Sequence, residues 1–285
     1  MGKVIMIMGT ASGVGKSTVV LALCRLLTKL GYRTAPFKAQ NITDKIRILS
    51  DSKKMSISSI LAAAACNLKP HPDMGPVVMI PSKHDGMNLI LNGEEVEFTS
   101  FIKMRSYLFD QAFSAYERLL KDYDIVVVEG AGSPVELNLL DHDIVNMNFA
   151  THANTPVLLV SEIHRGGVFA AVYGTLALLS EKQRALIKGV IINKFMGDPS
   201  LFADGEKIMA KITKMPVLGV LPFMSIEIED EDSLTEGVLK TKESLYTDKE
   251  EDYVALVNSA IDKIATKMEA YIDMATINKI INKGV

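Results

Sequence analysis

The sequence predicts a doubly wound α/β fold on a mostly parallel sheet, and three observations carry that expectation. Short runs rich in β-branched residues recur along the chain. Segments with apolar residues at three- and four-residue spacing separate them, and a glycine-rich turn stands directly between the first run and the first such segment. The runs are 4–8, 34–37, 125–128, 157–160, 190–192 and 217–221. They are apolar throughout and do not alternate, which is the pattern of a strand covered on both faces. The segments 17–30, 101–120 and 169–179 suit the crossover helices that parallel strands require. In such a sheet ligands collect at the carboxyl ends of the strands.

Between 41 and 97 the pattern is less regular, with an Ala-rich helix at 57–65 and a hairpin through 87–91 that turns at Asn92-Gly93. This stretch reads as an insertion that lines a substrate site. From 227 to 252 the chain is acidic with few core residues, and Val254, Val257, Ile261, Ile264, Met268 and Ile272 then mark an amphipathic helix. The organisation expected is a main domain at 1–235, an acidic linker at 236–252 and a C-terminal amphipathic helix at 253–285. No internal repeat of fixed period appears.

With 48% hydrophobic and 23% charged residues among 285, the chain can bury a large core. A net charge of -3 gives no long-range attraction to nucleic acid or to an anionic membrane, so neither is expected as a partner. The opening MGKVIMIM is too short for a secretory signal and no run of about eighteen apolar residues occurs, so a cytoplasmic location is expected. Cys24 and Cys66 have no Cys or His at metal-ligand spacing and read as core thiols, and the 15 methionines read as core filling.

The stretch VIMIMGTASGVGKST places a strand, a glycine-rich turn and a helix start in the order that a phosphate cradle needs. Glycines let backbone N–H groups converge on phosphate, Lys16 supplies a point charge, and the Ser17 hydroxyl can bind Mg²⁺. The turn from Gly9 to Gly15 is one residue longer than the common P-loop, and its context between strand and helix supports a P-loop NTPase fold. The residues expected to hold ATP are Gly9, Thr10, Ala11, Ser12, Gly13, Val14, Gly15, Lys16, Ser17 and Thr18. Glu129 closes the run IVVVE beside small residues and is a candidate Mg²⁺ ligand. Asn193 and Pro222 end two further runs and are candidates for reading adenine. Arg165, in HRGG after another run, is a candidate partner for a phosphate or a substrate carboxylate. His142, His152 and His164 are too irregularly spaced for a metal site and read as surface or turn residues.

The longer loop resembles that of dethiobiotin synthetase and its amidoligase relatives. GTASGVGKS, FKAQN, DMGP, EGAGSPVELNLLDHDIVNM, HRGGVFA, INKFMGDPSL and LGVLPF together give the chain a specific resemblance to the synthetase domain of the cobyric acid synthase family. The resemblance implies ATP-dependent activation of corrin side-chain carboxylates and their amidation. Lys16 and Lys38 would face the transferring phosphate. Ser17, Glu129 and Asp51 would hold Mg²⁺, and Gln40 and Asn41 would position the acceptor. It also allows a homodimer. Departures fall at the acceptor side: Ile42 replaces a Met, Lys54 stands at an acidic position, Ser56 to Ser59 replace G-R-A-Q, and Ile80 precedes Pro81. Nothing here resembles the family's glutaminase domain, which appears excised near 239–250, so nitrogen is expected from free ammonia or a separate glutaminase subunit. An ATP-binding paralogue that amidates nothing is the alternative reading.

Overall fold

A computed structural model describes residues 2–82, 86–139, 143–224 and 250–285. The expected linker at 236–252 therefore lies almost wholly outside the described residues, as does His142. Strand β1 (Lys3–Gly9) sits near the middle of a six-stranded sheet with β2 (Thr34–Phe37), β9 (Ile125–Glu129), β10 (Val157–Glu162), β11 (Ile187–Phe195) and β12 (Val217–Pro222), in the order β12-β11-β10-β1-β9-β2. Every pairing in it is parallel. The chain builds outward from β1 on one side through β2 and β9 and on the other through β10 to β12. That reversal makes the carboxyl end of β1 a topological switch point, the expected place for a ligand.

Because strand side chains alternate between faces, successive residues of one strand serve two different cores. Met6, Met8, Val126, Val128, Val157 and Leu159 face one layer, with helices α3 (Phe101–Asp122), α4 (Met147–His152), α5 (Val168–Leu178) and α6 (Glu181–Leu186). Ile5, Ile7, Val127, Leu158 and Val160 face the other, with α1 (Lys16–Lys29) and α2 (Ile57–Ala65). Cys24 and Cys66 are free and buried, and burial pushes the Cys24 thiol well above its usual range, in keeping with an inert core residue.

One expectation about the C-terminus needs correction. The stretch 253–285 is two helices, α8 (Glu250–Glu269) and α9 (Met274–Lys283), broken where Asp273 N–H donates to Leu218 O and its carboxylate caps α9 through Thr276 N–H. Both helices pack into the core of the main domain. Ile261, Ile264, Met268, Ile277 and Ile281 complete the α1 side of the core, at about 1.5–3 kcal/mol for each large side chain buried. Buried Arg25 of α1 donates to Asn258 Oδ1 at 2.5 Å and to Asn67 Oδ1 at 2.5 Å, fastening α8 and the end of α2 to the helix that follows the glycine-rich turn.

The segment after β2 makes two smaller sheets. Strands β3 (Gln40–Ile42), β6 (Val77–Ser82), β7 (Gly86–Leu91) and β8 (Glu94–Val96) form one in that order, and β4 (Ile46–Ile48) pairs antiparallel with β5 (Lys54–Ser56). The hairpin turns at Asn92-Gly93 as the sequence implies, with Leu91 opposite Glu94. Residues 57–65 are helical as expected, because Ser56 caps α2 by accepting from Ser59 N–H. Among the described residues no helix is long and apolar enough to cross a membrane.

Candidate functional site

Strand register alone brings three distant stretches to one edge. Ile7 lies opposite Glu129 and Phe37 opposite Val128, so the glycine-rich turn after Gly9, the carboxylate of Glu129 and the residue following β2, Lys38, leave the sheet side by side. Ser17 opens α1 and its hydroxyl donates to Glu129 Oε1 at 2.6 Å, while Lys38 Nζ donates to the same oxygen at 3.2 Å. Glu129 is buried, and a buried carboxylate needs a charged partner; Lys38, itself only 12% exposed at its side chain, supplies it.

The turn is shaped for close approach. A methyl group on Gly9 would meet Val14 Cγ2 at 2.6 Å and Lys16 Cδ at 3.0 Å, so the loop closes only with glycine there. Gly15 has φ +93° and a methyl group on it would meet Asn193 Nδ2 at 2.1 Å. Lys16 is buried and lies across the loop, donating to Ala11 O at 3.2 Å. Thr10 and Ser161 share a hydroxyl hydrogen bond of 2.9 Å, which ties the loop to β10. Across the loop, the glycine-rich exit from β9 is held by Asn146, whose Oδ1 accepts from Ala131 N–H and whose Nδ2 donates to Ala131 O. Asp143 fixes Asn146 in turn by accepting from its backbone N–H at 2.7 Å.

Other expected residues are placed differently. Asp51 sits in the exposed turn between β4 and β5, accepting from Lys53 N–H at 3.1 Å, and is not gathered with Ser17 and Glu129 as the metal expectation required. A two-residue backbone contact is what an Asp in a tight turn forms. Gln40 donates to Met79 Sδ inside the small sheet, so its amide is turned away from the recess expected for an acceptor. Asn41, one residue on and facing the other way, donates to Ser58 Oγ at 2.9 Å, and Ser58 lines a recess with Ser59, Lys38, Phe37, Met74 and Glu129. Arg165 is exposed and pairs with Glu162 at 3.3 Å. Asn193, expected at the adenine, gives its Nδ2 to Val14 O at 2.9 Å and so braces the glycine-rich loop; Pro222 ends β12, opposite Phe195 of β11. His152 packs edge-on against Phe113, with ring centroids 4.5 Å apart, and His164 packs against Phe223. Lys194, Glu162, Asp143 and Asn146 went unnoticed in the sequence. For Lys194 the signal was available, since it follows Asn193 directly at a strand end.

A glycine cradle closed around a buried lysine, with a hydroxyl and a carboxylate meeting beside it, is the arrangement that binding a phosphate with a divalent cation requires. Residues 3–228 match the family described as an AAA domain. The chain belongs to that family. Within it, the chain is 44% identical to the cobyric acid synthase of Lachnoclostridium phytofermentans over 247 residues, covering 84% of this chain and 48% of that protein. It is 43% identical to the cobyric acid synthase of Citrobacter koseri over 260 residues, covering 90% of this chain and 51% of that protein. The Salmonella arizonae protein of the same name is 44% identical over 238 residues, with 82% and 47% covered. The resemblance stated from the motifs is thus borne out as similarity. The chain spans about half the length of the curated relatives it matches.

Proposed function

We propose that the chain is an ATP-dependent amidoligase of the cobyric acid synthase type, which activates side-chain carboxylates of a corrin for amidation in cobalamin biosynthesis. The observation that carries the chemistry is the Ser17–Glu129–Lys38 cluster at the mouth of the phosphate cradle, one buried carboxylate shared by a hydroxyl and an ammonium. The relatives supply the substrate class.

On this reading backbone N–H groups of residues 9–18 and the Lys16 ammonium hold the phosphates of ATP. Ser17 and Glu129 are the side chains that would hold Mg²⁺, which when bound offsets phosphate charge. Asp51 is a weaker candidate for that role. Among the described residues no three His, Cys, Asp or Glu side chains form a metal cluster. Lys16 and Lys38 stabilise charge on the γ-phosphoryl as it passes to an acceptor carboxylate, giving ADP and an acyl phosphate. Ammonia then attacks the acyl carbon, phosphate leaves, and a proton is released from nitrogen. Ser58 bounds the recess next to the reacting phosphate and, held by Asn41, positions the acceptor there, Arg165 meets an acceptor carboxylate, and Asn193 and Pro222 flank the base. Nitrogen comes as free ammonia or from a separate glutaminase subunit.

The decisive experiment mixes the purified chain with ATP, Mg²⁺, ammonium and cobyrinic acid a,c-diamide, and follows ADP release together with corrin mass. Mass gain per amide formed, dependent on all four components, supports the proposal. Nucleotide binding without corrin mass change for either ammonium or glutamine would replace it with the paralogue that amidates nothing. The observation favouring that second reading is local: Lys54 stands where relatives are expected to be acidic and is engaged with Glu95 at 2.5 Å.

A further inference from the structure

Just before its last residue, strand β11 carries two consecutive residues that each hold a carbonyl of the phosphate loop. Asn193 Nδ2 donates to Val14 O at 2.9 Å, and Lys194 Nζ donates to Gly13 O. Lys194 reaches that carbonyl from a left-handed backbone, φ +61°, a conformation that residues with a side chain seldom adopt. Its ammonium also faces Glu162 Oε2 at 3.2 Å, while Glu162 Oε1 meets Arg165 Nε at 3.3 Å. Glu162 is 12% exposed at its side chain and lies directly opposite Asn193 in the sheet.

A trans peptide is planar, so its C=O and the next residue's N–H point in opposite directions. With the carbonyls of Gly13 and Val14 drawn toward β11, the N–H groups of Val14 and Gly15 must point away from it. Successive N–H groups aimed the same way form an anion-binding nest. Glu162 offsets the charge of Lys194, so the lysine's contribution here is chiefly to geometry.

We propose that Lys194, anchored by Glu162, is a positioning residue for the phosphate cradle, setting the Val14 and Gly15 amides to receive the phosphate chain of a nucleotide. This rests on the nucleotide reading above. Lys194→Met keeps the aliphatic stem and removes the donor. In the full chain, titration with a fluorescent ATP analogue and competition by inorganic tripolyphosphate should both weaken at least about tenfold, the equivalent of about 1.4 kcal/mol. The two should weaken in the same proportion, with the unfolding midpoint without nucleotide unchanged. Glu162→Gln should move both in the same direction by less, and Lys194→Arg should restore most of the loss; these two variants carry the test if Lys194→Met does not fold. Unchanged tripolyphosphate competition with weakened ATP binding would overturn the proposal and place the lysine at the base. Binding unchanged for both ligands would overturn it outright. Lys16→Ala serves as the control: if it too binds both ligands like the parent, the nucleotide reading itself fails.

Discussion

The phosphate-loop end of the main sheet and the insertion from β3 to β8 build their halves of the recess by different means. At the loop, position is set by parallel register and backbone: Glu129, Lys38, Asn193 and Lys194 are strand-end residues whose places follow from which strands are neighbours. In the insertion, position depends on side-chain hydrogen bonds from short strands of three residues to the first turn of α2, Asn41 to Ser58 and Ser56 to Ser59. A deep sheet with both faces covered resists change, whereas a short strand carrying a few hydroxyls alters with little cost to the fold. On the proposed function, the first region would carry the reaction chemistry and the second the discrimination between acceptors. The insertion is also where the sequence departs from its relatives' expected pattern, at Ile42, Lys54 and Ser56 to Ser59.

That contrast can be broken most sharply at the loop. Lys16→Ala should cut ATP-dependent turnover by about 10² to 10³, as for loss of one preorganised charge contact. Thermal unfolding should not be lowered, because the change removes a buried ammonium and no core apolar group. Equal losses of rate and of stability would make Lys16 a structural residue.

Glu129→Gln is expected next in size. Losing the carboxylate that Ser17 and Lys38 share should raise the Mg²⁺ concentration for half-maximal rate by roughly ten- to a hundredfold, with nucleotide affinity affected less. A Mg²⁺ titration that superimposes on the parent's would return Glu129 to pairing with Lys38 alone.

At the insertion, Ser58→Ala removes two neutral hydrogen bonds, that from Asn41 and a longer one of 3.3 Å shared with the Ser56 hydroxyl, the former worth about 0.5–1.5 kcal/mol. The KM for the acceptor should rise about three- to tenfold while the Kd for ATP stays at the parent value. A change confined to ATP would show that the recess belongs to the nucleotide, and the proposed division of labour between the two regions would collapse.

The smallest effect is expected at Lys54→Glu. Its partner Glu95 is 64% exposed at its side chain, and solvent-screened pairs of this kind contribute at most about 1 kcal/mol. Chemical denaturation should therefore shift little. If the acidic side chain is what acceptor recognition needs, this variant raises amidation where the parent is slow.

The sequence by itself determined the sheet and the cradle. Continuous apolar runs such as IVVVE and VIMIM announce strands buried on both faces, and a glycine turn between strand and helix is a local pattern that needs no distant residue to be read. Helix 57–65 and the turn at Asn92-Gly93 were legible for the same reason, since capping and turn chemistry act within four residues. Only the tertiary structure could decide what the strand-end residues touch. Asn193, a candidate base reader, also braces Val14; Gln40 meets Met79 while Asn41 meets Ser58; Asp51 accepts from the backbone of its own turn. The sequence marks the C-terminal stretch as amphipathic but not what covers its apolar face, because its partners on α1 lie more than two hundred residues away, as Arg25 and Asn258 do. Period and composition report which face of an element is apolar, but the neighbour that covers it, and the atom that a polar group reaches, depend on strand order and register that no local pattern encodes.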